Sequence, residues 1–189
     1  MTARHSPFVT ALPNLISLAR LLAVPLAIWL ILQDRYGTAF WVFAAAGASD
    51  ALDGFIAKQF GLRTVLGGFL DPLADKALLV SIYVALGIWG AVPRWIVILV
   101  VSRDIMIVTA VIVSWLFDKP VEMKPSMVSK LNTVAQVAFA ALVLASLGFN
   151  FKPAPYDVIL MGFVTVFTLV SVSLYLVGWV RHMSTIEAN

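Results

Sequence analysis

Residues 50–75 read D-A-L-D-G-F-I-A-K-Q-F-G-L-R-T-V-L-G-G-F-L-D-P-L-A-D, from Asp50 to Asp75, and this stretch decides what the rest of the chain can be. Its aspartates fall in two pairs: Asp50 and Asp53 are three residues apart, Asp71 and Asp75 four apart. On a helix either spacing brings both side chains onto one face. The sequence on both sides is apolar enough to be lipid-facing helix. A carboxylate at the centre of a bilayer costs about 2.5–3.5 kcal/mol even on the most lenient insertion scale. Four of them call for a bound partner that cancels their charge, and two divalent cations do so completely. Oxygen ligands in a chain without cysteine point to Mg²⁺, Mn²⁺ or Ca²⁺ rather than zinc.

The competing reading, solvated loop aspartates near a helix end, leaves the double helical spacing unexplained. It also leaves Gly54 and Ala57 unexplained. With Asp50 at 0° and steps of 100°, Asp53 falls at about 300°, Gly54 at about 40° and Ala57 at about 340°. Carboxylates and small residues share a face, which lets a ligand or another helix approach the backbone.

Composition sets the class. Of 189 residues, 61% are hydrophobic and 12% charged, and the mean hydropathy is +0.98. A soluble domain of this length cannot bury so much apolar surface, so the expectation is an all-α integral membrane protein. Zero cysteines exclude disulfides and thiolate metal sites. A net charge of +3, scattered along the chain, gives no footprint for nucleic acid. The opening M-T-A-R-H-S-P-F reads neither as a cleavable signal nor as an Arg-rich transit peptide, and a bacterial inner membrane is the simplest home.

Six apolar segments, at about 12–33, 38–58, 69–90, 93–117, 131–149 and 155–180, each approach the ~20 residues that a bilayer core requires. They are expected to form six transmembrane helices in a single domain covering residues 1–189. Pro13 suits the first turn of its helix and Pro72 the first turn of the third, where a missing N–H matters least. Pro25 is expected to kink the first helix unless neighbours satisfy the freed carbonyl. With the aspartates inside, the inner positive residues are Arg4, Lys58, Arg63, Lys119, Lys124, Lys130 and Arg181, against Arg35, Arg94 and Lys152 outside. That asymmetry puts both termini in the cytoplasm.

Three further features carry charge into apolar surroundings. Arg20 lies inside the first segment, where it either snorkels to the headgroups or serves a ligand. Arg103 and Asp104 lie well inside the fourth. They form either a paired couple that stabilises packing or, with Arg103 facing a cavity, a contact for an anionic lipid. The polar run D-K-P-V-E-M-K-P-S-M-V-S-K-L-N-T fits an interfacial loop that leads into the fifth helix through Lys130, Asn132 and Thr133. A helix N-terminus there also favours anions.

Asp50, Asp53, Gly54, Ala57, Gly67, Asp71 and Asp75 match the CDP-alcohol phosphatidyltransferase signature D-x2-D-G-x2-A-R-x8-G-x3-D-x3-D, with Lys58 standing where that family usually has Arg. The run P-N-x-x-S-x-x-R-x-x-x-x-P from Pro13 to Pro25 is also similar to the family's opening helix. The charge asymmetry places the active site in the cytoplasm as well, and the resemblance implies two divalent cations (Mg²⁺ or Mn²⁺) held by Asp50, Asp53, Asp71 and Asp75, and a CDP-activated lipid donor, CDP-diacylglycerol. It implies donor contacts from Asn14, Arg20, Asp50, Gly54, Ala57, Lys58 and Gly67, and Asp75 as the base that takes the acceptor's proton. It further implies a homodimer. Acceptor contacts are expected from Arg103, Lys130, Asn132 and Thr133.

L-D-P-L-A-D-K, S-R-D and K-P-S-M-V-S-K-L-N-T look most like the eukaryotic-type cardiolipin synthases of this superfamily, a resemblance running over residues 13–136. It implies phosphatidylglycerol as acceptor. Glycerol 3-phosphate, the acceptor of phosphatidylglycerophosphate synthases, is the alternative. A metal-ion transporter would also use intramembrane carboxylates, but the D-x2-D-G-x2-A spacing argues against it.

Overall fold

The computed structural model describes the backbone of residues 7–60, 65–116 and 127–184, and the side chains of residues 16–49, 74–109 and 127–180. The described residues form six helices and no strand: α1 (Pro7–Leu32), α2 (Tyr36–Phe60), α3 (Val65–Ile88), α4 (Arg94–Leu116), α5 (Met127–Phe149) and α6 (Tyr156–Ser184). At 1.5 Å per residue, even the 23-residue α4 is about 34 Å long, enough for a hydrocarbon core. Among the described residues, Met127–Phe149 and Tyr156–Val180 are long and apolar enough to cross a membrane, and Ile16–Leu32 is a shorter apolar stretch. Along α6, Phe163, Val166, Leu169, Val177 and Val180 are all exposed.

Local chemistry ends the helices. After α1 the Arg35 N–H reaches the Leu30 carbonyl (2.9 Å) and the Asp34 N–H the Ile31 carbonyl (3.1 Å). That is the Schellman pattern, with Asp34 in the left-handed region at φ 56°. Asn150 (φ 54°) plays the same part after α5, where the Phe151 N–H reaches the Ser146 carbonyl at 3.2 Å. Gly90 (φ 75°) follows α3.

Two prolines sit differently from expectation. Pro13 lies inside α1, whose first turn is formed at Pro7, and Pro72 lies inside α3, which already begins at Val65. An interior proline loses one backbone hydrogen bond and crowds the carbonyl four residues back. At Pro72 that residue is Gly68, which adds no side chain of its own to the crowding. Helix α1 also continues unbroken through Pro25.

By internal contacts the chain divides into two compact units. One comprises Met1–Trp89 with Leu144–Phe151, the other Gly90–Val143 with Lys152–Asn189. In the first, α1 packs on both α3 and α2, which also touch each other. Its core contains Ala27, Leu30, Ile31, Ala39, Ile82, Tyr83 and Leu86. The last turns of α5 belong here: Phe149 meets Phe40 edge to face at 5.7 Å, and Gly148 lies against Gly37 so closely that a Cβ on Gly148 would overlap the Gly37 backbone. In the second unit α4 packs on α6, with Ile96, Val100, Phe139, Ala140 and Val164 buried.

Candidate functional site

The four aspartates lie on two packed helices of the first unit: Asp50 and Asp53 in the second half of α2, Asp71 and Asp75 in the first half of α3. The helical backbone runs unbroken through both pairs, and the connection at 61–64 lies outside the described residues. So do the side chains of Asn14, Asp50, Asp53, Gly54, Ala57, Lys58, Gly67 and Asp71. Among the described residues, no group of three or more carboxylate or imidazole side chains could hold a metal. The donor chemistry nonetheless fits Mg²⁺ or Mn²⁺: four aspartates on adjoining helices, hard oxygen ligands throughout, no sulfur.

Asp75 is the aspartate of this set whose side chain is described, and Arg20 is one of its partners. The guanidinium of Arg20 on α1 donates from Nη1 to Asp75 Oδ1 on α3 at 2.5 Å. The pair is lopsided: the Arg20 side chain is 2% exposed and that of Asp75 is 40% exposed. Their sequence neighbours are buried as well, Ser17 one turn before Arg20 and Ala74 and Leu78 on either side of Asp75. Two residues expected in different roles, donor contact and base, are thus brought together.

A second polar cluster lies within the second unit. Arg103 Nη1 donates to Asp104 Oδ1 at 2.6 Å. Its Nη2 donates to Ser129 Oγ on α5 at 2.5 Å and to Ser171 Oγ on α6 at 3.2 Å. The guanidinium carbon stands 5.9 Å from the centre of the Tyr175 ring, within cation–π range. Asn132 is fully buried and accepts from Thr168 at 2.9 Å, while its own Nδ2 has no hydrogen-bond partner among the described residues. Of the expected acceptor residues, Arg103 and Asn132 therefore belong to one buried layer. Lys130 is exposed, and Thr133 turns its hydroxyl back to the Ser129 carbonyl at 3.2 Å. The polar run before α5 lies outside the described residues from 117 to 126.

Ser129, Thr168, Ser171 and Tyr175 are absent from the aspartate signature. Their signal in the sequence is periodicity: 129, 132 and 136 on α5 and 168, 171 and 175 on α6 step by three and four through otherwise apolar helices. Such a stripe marks a buried polar face.

Comparison with known proteins identifies the family. Residues 10–176 match the family model for CDP-alcohol phosphatidyltransferase. The chain is 35% identical over 173 residues to the Homo sapiens protein named cardiolipin synthase (CMP-forming), covering 83% of this chain and 57% of the relative. It is 35% identical over 150 residues to CDP-diacylglycerol–glycerol-3-phosphate 3-phosphatidyltransferase 1, chloroplastic, of Oryza sativa subsp. japonica, covering 70% and 46%. A cardiolipin synthase (CMP-forming) of Streptomyces coelicolor is 37% identical over 109 residues, covering 54% and 51%. The chain spans 46% to 57% of the length of these relatives. Because the family match takes in nearly all of the six helices and the whole aspartate signature, this chain belongs to the CDP-alcohol phosphatidyltransferase family.

Proposed function

We propose that this protein is a cardiolipin synthase, transferring the phosphatidyl group of CDP-diacylglycerol to phosphatidylglycerol with release of CMP. The observation that carries phosphatidyl transfer is the family match over residues 10–176, with the four aspartates seated on α2 and α3 inside it, and the names of the human and Streptomyces relatives support cardiolipin as the product. In this reading all six helices span a bacterial inner membrane as one domain, and the protein works as a homodimer. Both termini and the aspartates face the cytoplasm, where a CDP-lipid presents its nucleotide.

The acceptor hydroxyl attacks the phosphorus attached to the lipid, a new P–O bond forms, the pyrophosphate bond breaks, and CMP leaves. Asp75 accepts the hydroxyl proton as general base. Asp50, Asp53, Asp71 and Asp75 would hold two divalent cations, which when bound stabilise charge on the phosphoryl oxygens and the leaving group. Asn14 and Lys58 serve the polar part of the donor, and Gly54, Ala57 and Gly67 leave its nucleotide room. Arg103, Lys130, Asn132 and Thr133 serve the acceptor.

The state of Arg103 favours the phosphodiester acceptor. Its charge is already matched by Asp104 within a buried pair, whereas Lys130 is exposed. Phosphatidylglycerol brings a single negative charge; a phosphomonoester such as glycerol 3-phosphate brings about −1.5 to −2 at neutral pH. The second reading, phosphatidylglycerophosphate synthesis, is supported by the name of the rice relative. Incubation of the purified protein with CDP-diacylglycerol, Mg²⁺ or Mn²⁺ and each acceptor in turn, with mass spectrometry of the lipid formed, separates the two. Cardiolipin is the expected product, and phosphatidylglycerophosphate the contrary one.

A further inference from the structure

We infer that Arg20 is a positioning residue that fixes the orientation of the Asp75 carboxylate, rather than a contact for the donor's phosphates. The inference rests on the proposed transferase reading, in which Asp75 takes the acceptor's proton. Three observations carry it. First, the Arg20 side chain is 2% exposed while that of Asp75 is 40% exposed, so the cation stands behind the carboxylate and the carboxylate stands in front. A group meant to receive a nucleotide from water would sit the other way round. Second, the contact bridges 55 residues of sequence and ties α1 to α3 through Nη1 and Oδ1 at 2.5 Å. Third, both anchor points are packed, with Ser17 at 2%, Ala74 at 2% and Leu78 at 4% exposure.

The physical need is specific. The last torsion of an aspartate is broad and roughly two-fold, so the backbone alone does not fix where its oxygens point. A base must present one oxygen within hydrogen-bond reach of the proton it accepts. A planar guanidinium holding Oδ1 from the buried side through Nη1 removes that freedom, and its rigid plane directs the N–H better than an ammonium on a flexible stem does.

Steady-state kinetics of CMP release, with CDP-diacylglycerol varied at saturating phosphatidylglycerol, decides the matter for Arg20→Gln and Arg20→Lys. The expected result for Arg20→Gln is a kcat lowered about tenfold to a hundredfold, the scale of a misplaced catalytic group. The donor KM should stay within about twofold, as it does when only the reacting geometry suffers. Arg20→Lys should recover part of kcat, again without moving the donor KM. A raised donor KM with kcat unchanged would make Arg20 a donor contact and overturn the inference, as would wild-type values for both constants. If thermal unfolding shows that Arg20→Gln does not fold, Arg20→Lys decides alone. A lowered kcat at constant donor KM supports positioning, and a raised donor KM or wild-type constants refute it. Failure of the transferase reading looks different: the unaltered protein would then release no CMP with any alcohol.

Discussion

Arg103 and Asp104 are sequence neighbours on α4, yet their side chains meet at 2.6 Å with only 3% and 8% exposure. Adjacent residues on a helix point about 100° apart. The long arginine must therefore curl round, and Ser129, Ser171 and the Tyr175 ring take up its other side. Removing one member of a buried pair strands the other charge, at a cost of about 3–5 kcal/mol. Asp104→Ala should lower stability by that order. Arg103→Met combined with Asp104→Leu should lower it far less, because neither charge is then left alone. Thermal unfolding in detergent measures both, and equal losses for the single and double variants would contradict the pairing argument.

Glycine at 148 is required by contact rather than by backbone conformation. A Cβ there would overlap the Gly37 backbone, whereas a Cβ on Gly37 would meet Gly148 at an ordinary 3.5 Å. Gly148→Ala should therefore cost about 1–3 kcal/mol, the range for forcing atoms into a packed interface. Gly37→Ala should be much milder. Unfolding midpoints of the two variants check the asymmetry.

The helices were legible in the sequence because their signal is length and hydropathy. The expected segment at about 93–117 is α4, Arg94–Leu116, and that at about 38–58 is α2, Tyr36–Phe60. The prolines were harder. Pro13 and Pro72 look like first-turn residues, but α1 and α3 begin earlier and absorb them, since the apolar run before each is too weak to mark a start. The aspartate signature could be read because its intervals are fixed along the chain. The Arg20–Asp75 contact could not, because nothing local links residues 55 apart. Arg103 shows the same limit: sequence leaves its partners open, and packing supplies Ser129 and Ser171 from two other helices.

Lys130 is exposed near the start of α5. If it meets the phosphodiester of the acceptor, Lys130→Ala removes one charge-assisted contact, worth about 1.5–3 kcal/mol. The expected outcome is an acceptor KM raised about tenfold to a hundredfold, since 1.4 kcal/mol is one decade, with the donor KM little changed. An unchanged acceptor KM would remove Lys130 from the site.

Lys58 stands where the family usually has arginine. A lysine offers a compact charge where arginine offers a bidentate fork. Lys58→Ala should mainly raise the donor KM, and Lys58→Arg should be tolerated. A donor KM unmoved by Lys58→Ala would reduce the residue to a topology charge.

The central claim is phosphatidyl transfer to a lipid acceptor, and acceptor-dependent CMP release tests it most directly. The purified protein is supplied with CDP-diacylglycerol and Mg²⁺ or Mn²⁺, then with phosphatidylglycerol or glycerol 3-phosphate, and CMP is measured with and without excess chelator. The account predicts CMP release with phosphatidylglycerol, none above background with glycerol 3-phosphate, and loss of turnover in chelator. CMP release driven by glycerol 3-phosphate with phosphatidylglycerol inert, or full turnover in chelator, would contradict it.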